Sequence, residues 1–344
     1  MIYYSIFIFS STILLFLSRL VKGTNFLFYT AVFMAILFSG FRYDAGNDYP
    51  TYYAMATGYV NYDRLELIPK LIMDVSFFSE SPAIFFFVTS FIYIICVQYF
   101  CCKLSENKEL SFLLFLLFPL SFLTSFGYVR QFLSIGFFIC AIAMRVENKN
   151  KTSLFFVLLS IACHMSAVFF IPIILFKKVL SKRKIPLIIS VVVIVLSILF
   201  SSLVVRYSYL AGRYEHYING ANVIDAGKKI GYISIALLAY LYIFGRKIRT
   251  SSEIYLFNIY VVFCVMYAFL MNFGEYVVRV SYFLFPVFWV LIPKTIILKG
   301  SIFKYIQILL IASFGFLMFF TTLYLASTNP TRDFLTDYSI IFLK

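Results

Sequence analysis

Of 344 residues, 62% are hydrophobic, 21% aromatic and only 13% charged, with a mean hydropathy of +0.95. Soluble domains carry roughly a quarter charged residues, so this composition excludes one and points to a bilayer. The formal charge of +14 comes from 29 Lys and Arg against 15 Asp and Glu, in short basic clusters between apolar runs. That is the pattern of cytoplasmic loops under the positive-inside rule, not of the solvated basic face of a nucleic-acid binder, and nucleic acid is set aside as a partner.

A helix needs about 20 apolar residues to cross the hydrocarbon. In chain order such runs lie near 2–20, 24–41, 82–102, 110–127, 128–145, 152–176, 185–205, 230–245, 254–273, 277–293 and 305–326. The first has no basic segment before it and no small-residue cleavage site after it, so it reads as a span and not as a cleaved signal peptide. No internal repeat and no soluble domain is visible, and the chain reads as a single membrane domain over 1–344. The expected fold is all-α and polytopic, with about 10 transmembrane helices plus a re-entrant or broken segment near 152–176, or 11 spans if that segment crosses.

The basic clusters set the orientation. Arg19 and Lys22 follow the first run, Lys103 and Lys108 the third, and Arg145, Lys149 and Lys151 the fifth, which places the N-terminus outside and those loops inside. A simple crossing at 152–176 would then put Lys177, Lys178, Lys182, Arg183 and Lys184 outside. A break near His164 and Met165 removes the conflict, because arms of about 11 residues reach only mid-membrane at 1.5 Å per residue; the competing reading is a long tilted helix that violates the charge rule. With the break, the inner face carries the whole net charge and is mostly lysine, whereas the outer face is neutral and its basic residues are mostly arginine. Arginine's planar fork suits phosphate and carboxylate.

Outer loops are expected near 42–81, 127–131, 206–229 and 272–279, with an outer C-terminal tail at 327–344. The first opens with Arg42, Tyr43, Asp44, Gly46, Asp48 and Tyr49 and runs on through Tyr52 and Tyr53. Arg42 and Asp48 are either site residues or an interfacial pair, and the tyrosines form an aromatic belt. Leu65, Ile68, Ile72 and Val75 recur at helical spacing, which predicts an amphipathic helix within 62–78 at the outer surface. In the second, Arg130 stands where a span begins, so free N–H groups and the helix dipole join it in favouring an anion, and Gln131 adds a donor.

His164 lies twelve residues into an apolar run, either as a functional group at bilayer depth or as a hydrogen-bonded structural histidine. In the loop after the seventh run, Arg206 and Arg213 are seven apart, with Glu215 and His216 close behind. Glu275 and Arg279 are spaced i,i+4, the spacing of a helix salt bridge, yet Arg279 falls just inside a span and needs a partner or a wet cavity. Asp333 and Asp337 stand in the tail. Cys96, Cys101, Cys102, Cys140, Cys163 and Cys264 lie in or beside apolar runs without metal-ligand spacing, and two histidines cannot build a His-rich metal site. No metal and no cofactor is expected.

Four elements in order, Arg42-Tyr43 with Gly46, Asp48 and Tyr49, then Arg130-Gln131, His164 with Ser166, and Arg279 with Tyr282, Phe283 and Pro286, resemble the EpsG/Wzy type of bacterial polysaccharide polymerase. The resemblance covers most of the chain, although the family's usual aromatic-Pro-Tyr ending is replaced here by Asp337-Tyr338-Ser339-Ile340. It implies a metal-independent glycosyltransferase of O-antigen or exopolysaccharide synthesis in the bacterial inner membrane, active at the periplasmic face. An undecaprenyl-diphosphate-linked glycan would be transferred to a lipid-linked repeat unit, alongside membrane lipid and a chain-length regulator protein as partners. The chemistry agrees: guanidiniums suit a lipid diphosphate leaving group, and no Gly-rich nucleotide loop or DxD-like pair is visible. On this reading Arg42, Arg130, Gln131, Arg206, Arg213 and Arg279 bind substrate or diphosphate, Arg42 and Asp48 also organise the first-loop side, and Asp48, His216 or Glu275 is the base. His164 supports the cavity wall from below. A lipid-linked oligosaccharide flippase and a membrane acyltransferase are the alternative functions.

Overall fold

The computed structural model describes residues 1–21, 25–210, 224–296, 302–328, 334–336 and 338–341, without the side chains of 205–226, 275 and 276. The chain is an all-α polytopic membrane protein: among the described residues seven helices are long and apolar enough to span, and the only strands are a two-residue antiparallel pair. It forms two compact units, 1–171 with 298–344, and 172–297.

The first unit contains α1 (Ile2–Leu20), α2 (Phe26–Gly40), β1 (Arg42–Tyr43), α3 (Tyr49–Ala56), α4 (Leu67–Phe78), α5 (Pro82–Leu104), α6 (Lys108–Leu117), α7 (Val129–Val146) and α8 (Asn150–Cys163). Its centre is α7, whose span is 78% buried. Gly136, Cys140, Ala141 and Ala143 keep that helix narrow, and Gly136 lets it close on Tyr93 of α5. With no water to drive association between spans, small residues and interhelical hydrogen bonds hold them. Ser134 and Ser160 exchange hydroxyl-to-carbonyl bonds of 2.7 and 2.8 Å, and Ser153 donates to the Ala141 carbonyl at 2.8 Å, so α7 and α8 are stitched at two levels.

The tail, which the sequence leaves without a role, closes on the first loop. β2 (Ser339–Ile340) pairs with β1, Arg42 opposite Ile340 and Tyr43 opposite Ser339. Tyr338 stacks on Phe38 with ring centres 4.3 Å apart and donates to the Phe38 carbonyl at 2.9 Å, and Tyr4 of α1 donates to the Leu335 carbonyl at 2.9 Å. The loop itself turns at Gly46, whose φ of +104 suits glycine and whose N–H meets the Phe334 carbonyl at 2.8 Å. A Cβ there would overlap the Phe126 carbonyl, at the turn that leads into α7. Gly46→Ala is therefore expected to destabilise the fold by about 2 kcal/mol or more, read as a lower melting temperature of the purified protein and less of it in the membrane.

The second unit holds α9 (Ile171–Leu175) from Pro172 onward, α10 (Lys177–Leu180), α11 (Leu187–Leu210), α12 (Ile224–Phe244), α13 (Ser251–Leu270), α14 (Glu275–Val278) and α15 (Val287–Leu291). Asn258 on α13 gathers the turn before α11: its amide donates to the Leu180 and Arg183 carbonyls at 2.7 and 2.9 Å and accepts from the Ile185 N–H at 3.0 Å. At the start of α13, Glu253 completes a capping box with Thr250 and takes the Lys294 ammonium at 2.7 Å. The last long helix, α16 (Ile302–Thr328), belongs to the first unit.

Two expected spans are not continuous helices. The run 110–127 ends as a helix at Leu117, because Pro119 forces Phe118 into an extended conformation and lacks an N–H to continue the ladder; Leu120 takes φ +60 and a single 3-10 turn follows at Thr124–Phe126. The run 277–293 is likewise divided by Pro286 and Pro293 into short α and 3-10 pieces. The segment 152–176 is broken as the charge argument requires. α8 stops at Cys163, His164 is extended at φ −162 and ψ 122, and Met165–Phe170 is 3-10. Pro172 opposes an α-helical turn over the residues just before it, where the chain is 3-10.

Candidate functional site

The first unit brings four side chains from distant parts of the sequence together. α3 is anchored by its tyrosines: Tyr49 stacks on Phe86 at 4.4 Å between ring centres and Tyr52 packs on Phe85 at 4.7 Å. Both rings are only 3% exposed, so these tyrosines are core residues and not the expected interfacial belt. The Tyr52 hydroxyl accepts from Arg130 Nε at 2.6 Å. Burial raises the Tyr52 phenol above its ordinary value, and it stays a neutral hydroxyl.

Glu66 stands at the N-cap position of α4, with its side chain free of the helix end, and Leu65 and Met73 pack α4 against α3. The expected apolar stripe is shifted: Val75 is exposed and the buried line runs through Pro69, Met73 and Ser76. The two Glu66 oxygens are shared. Oε2 meets Arg130 Nη1 at 2.6 Å and Oε1 meets His164 Nδ1 at 3.0 Å. Burial pushes the carboxyl up, but the bonds from His164, its own backbone N–H and Arg130 outweigh that and hold it at about 2, so the group is an anion.

Register between Arg130 and His164 is set one helical turn away. Ser134 lies four residues after Arg130 on α7 and Ser160 four before His164 on α8, so the Ser134–Ser160 bond stands beneath the pair on the same helix faces. Arg130 is the second residue of α7, where unpaired N–H groups and the dipole favour negative charge. The cluster is not sealed: the side chains of Arg130, Glu66 and His164 are 31%, 18% and 29% exposed.

The arrangement has a definite chemical polarity. An ionised carboxylate only accepts, so the hydrogen of the Glu66–His164 contact is carried by His164 Nδ1, and Nε2 is the ring atom left to exchange a proton with a substrate. Arg130 commits Nε to Tyr52 and Nη1 to Glu66, which fixes the plane of the guanidinium while its Nη2 side is available to an anion.

Arg42 is not an open phosphate ligand. It is 1% exposed, its guanidinium lies between the Phe86 and Phe126 rings at 4.9 and 4.8 Å, and it donates to the Ala45 and Ser39 carbonyls and to Ser90 Oγ. It organises the first loop by tying the turn to α2 and α5. Gln131, expected as a second anion donor, is 4% exposed and belongs to the interior. Asp48 precedes α3 by one residue, and its backbone carbonyl accepts from the Tyr52 N–H. Arg279 is in the second unit at the start of a 3-10 segment, so the i,i+4 helix with Glu275 is not formed: α14 ends at Val278. The side chains of Arg206 and Glu275, and all of Arg213 and His216, lie outside the described residues.

Two members of this cluster are absent from the sequence-based site: Glu66 and Tyr52. Glu66 stands before a helix start, a signal that marks a cap and not a partner for residues 64 and 98 positions away. Tyr52 follows Asp48 by one helical turn, which was its only local distinction.

The family model named EpsG matches residues 25–339, nearly the whole chain. No curated protein and no solved structure gives a significant match. A match of that extent, over a polytopic helical protein that holds Arg130 and His164 in one cluster, means that the chain belongs to the EpsG family of Wzy-like polysaccharide polymerases.

Proposed function

We propose that the protein extends a bacterial O-antigen or exopolysaccharide by moving a glycan from undecaprenyl diphosphate to the sugar hydroxyl of a lipid-linked repeat unit, at the periplasmic face of the inner membrane. The observation that carries this reading is the Glu66–His164–Arg130 cluster beside a helix N-terminus. His164 Nε2 takes the proton of the acceptor hydroxyl, and the resulting imidazolium is stabilised by the Glu66 anion at 3.0 Å. The acceptor oxygen bonds to the anomeric carbon as the bond from that carbon to the diphosphate oxygen breaks. The electron pair leaves with the lipid diphosphate, whose growing charge falls to Arg130 and the first turn of α7. Tyr52 and Glu66 keep the guanidinium in place, so little reorganisation accompanies the step.

The test is the lipid pool of a strain in which this protein is replaced by Arg130→Lys. Lysine keeps the charge but cannot hold Tyr52 and Glu66 as a fork does, and polymerisation is expected to fall about 100-fold. Lipid carrying one repeat unit then accumulates on the outer leaflet. Accumulation on the inner leaflet would point to a flippase, and long chains at normal amounts would remove Arg130 from the reaction.

A further inference from the structure

We infer that the first unit carries a binding site for one anionic glycerophospholipid, in the groove formed by α1, α6 and α16. The groove encloses about 530 Å³ and its walls are apolar, with Leu15 from α1, Leu113 from α6 and Leu309 and Phe316 from α16. The C-terminus of α1 and the N-termini of α6 and α16 meet at one end, where Arg19, Asn107 and Glu109 form the polar mouth. Along α16 the lining extends from Tyr305 to Phe316, which is about 16 Å at 1.5 Å per residue. That length equals the hydrocarbon depth of one leaflet, about 15 Å. The space thus has the form of a single lipid: a chain slot one leaflet deep, capped by groups that meet a headgroup.

Charge at the mouth selects the headgroup. Glu109 is neutralised by Lys108, whose ammonium lies 4.0 Å from it. Arg19 is exposed in the last turn of α1, and among the described residues no carboxylate pairs with it. Its guanidinium stands where a lipid phosphate sits at the end of a leaflet-deep slot, as basic residues beside anionic lipid do. This site is separate from the Glu66 cluster. α5 runs 23 residues, about 34 Å, from the end that packs on Tyr52 to the turn that carries Asn107.

Native mass spectrometry of the full chain, released from nanodiscs holding phosphatidylglycerol and phosphatidylethanolamine in equal amounts, reads the occupant directly. The expected result is one retained phosphatidylglycerol per chain. Arg19→Gln should weaken retention about fivefold, the weight of one basic residue at an anionic lipid surface. Ala312→Trp, which fills the groove and leaves Arg19 in place, should abolish it. Both variants are compared at unchanged melting temperature in lipid-free detergent, and each checks the other if one fails to fold. Equal retention of the two lipids, retention unchanged in both variants, displacement of phosphatidylglycerol by one equivalent of undecaprenyl phosphate, or a second copy of the chain in place of lipid would each overturn the assignment.

Discussion

Replacement of His164 by alanine is expected to reduce chain extension by 10³-fold or more while the protein remains in the membrane at its normal level. Two costs combine. On the proposed mechanism the reaction loses the base that takes the acceptor proton, a contribution of about 10² to 10⁴ in rate. Glu66 also loses one of the two side-chain partners of its carboxylate, so Arg130 is less firmly placed. The structural cost is small by comparison. His164 sits at a break between helices with 29% of its side chain exposed, and α8 remains tied to α7 through Ser160 and Ser153. In membranes supplied with a single-repeat lipid substrate, His164→Ala should therefore lower kcat with little effect on KM. His164→Gln, which can still donate to Glu66 but cannot act as a base, should restore the packing and not the rate. Extension by His164→Gln at the wild-type rate would make this histidine a structural residue.

His164 also shows what the sequence discloses. The excess of lysine after residue 176 conflicts with a simple crossing at 152–176, and dividing that run into two arms puts the break near His164 and Met165, just beyond the end of α8 at Cys163. The place of Arg130 at a helix start is equally legible, because Gly127 ends one run and the next begins at once. Hydropathy was weaker where proline intervened. Pro119, Pro286 and Pro293 sit inside apolar runs of spanning length, and the averaged signal hides the loss of hydrogen bonds that ends each helix. Least legible was the carboxylate that orients both side chains. Glu66 reaches Arg130 and His164 only because α3 and α4 fold back over the ends of α5, α7 and α8, and nothing local in the sequence encodes that return. Arg42 shows the opposite error: its pattern of neighbours suggests a ligand, yet three of its donors are consumed by the loop it shapes.

Changing Glu66 to glutamine removes one charge and no volume, and a loss of about 10³-fold in kcat is expected. A carboxylate accepts from Arg130 on one oxygen and from His164 on the other. An amide has a single oxygen, so it serves one of them and turns its NH₂ toward the second. Facing Arg130, the NH₂ would meet another donor, which is unfavourable; facing His164, it binds the Nδ1 lone pair and shifts the ring hydrogen to Nε2. The second arrangement satisfies every group and leaves the histidine with no lone pair for the acceptor hydroxyl. An analogous carboxylate-to-amide change in a serine protease triad costs about 10⁴ for the same tautomeric reason.

The stability of the protein should carry the same signature. The Glu66 carboxyl is held at about 2, below its ordinary value of 4.5. A lowered value means that the contribution of this ion to folding is complete above about pH 4.5 and is lost as the pH falls toward 2. The melting temperature of the wild type should decline through that window, and Glu66→Gln should lack this part of the decline. Across pH 5 to 9 the carboxylate does not titrate, so higher pH cannot rescue Glu66→Gln as it would a variant whose base was merely protonated. Glu66→Asp retains both acceptors on a shorter stem and should keep measurable activity. If Glu66→Gln extends chains at the wild-type rate, or regains that rate at alkaline pH, the carboxylate does not set the histidine tautomer and the base lies elsewhere.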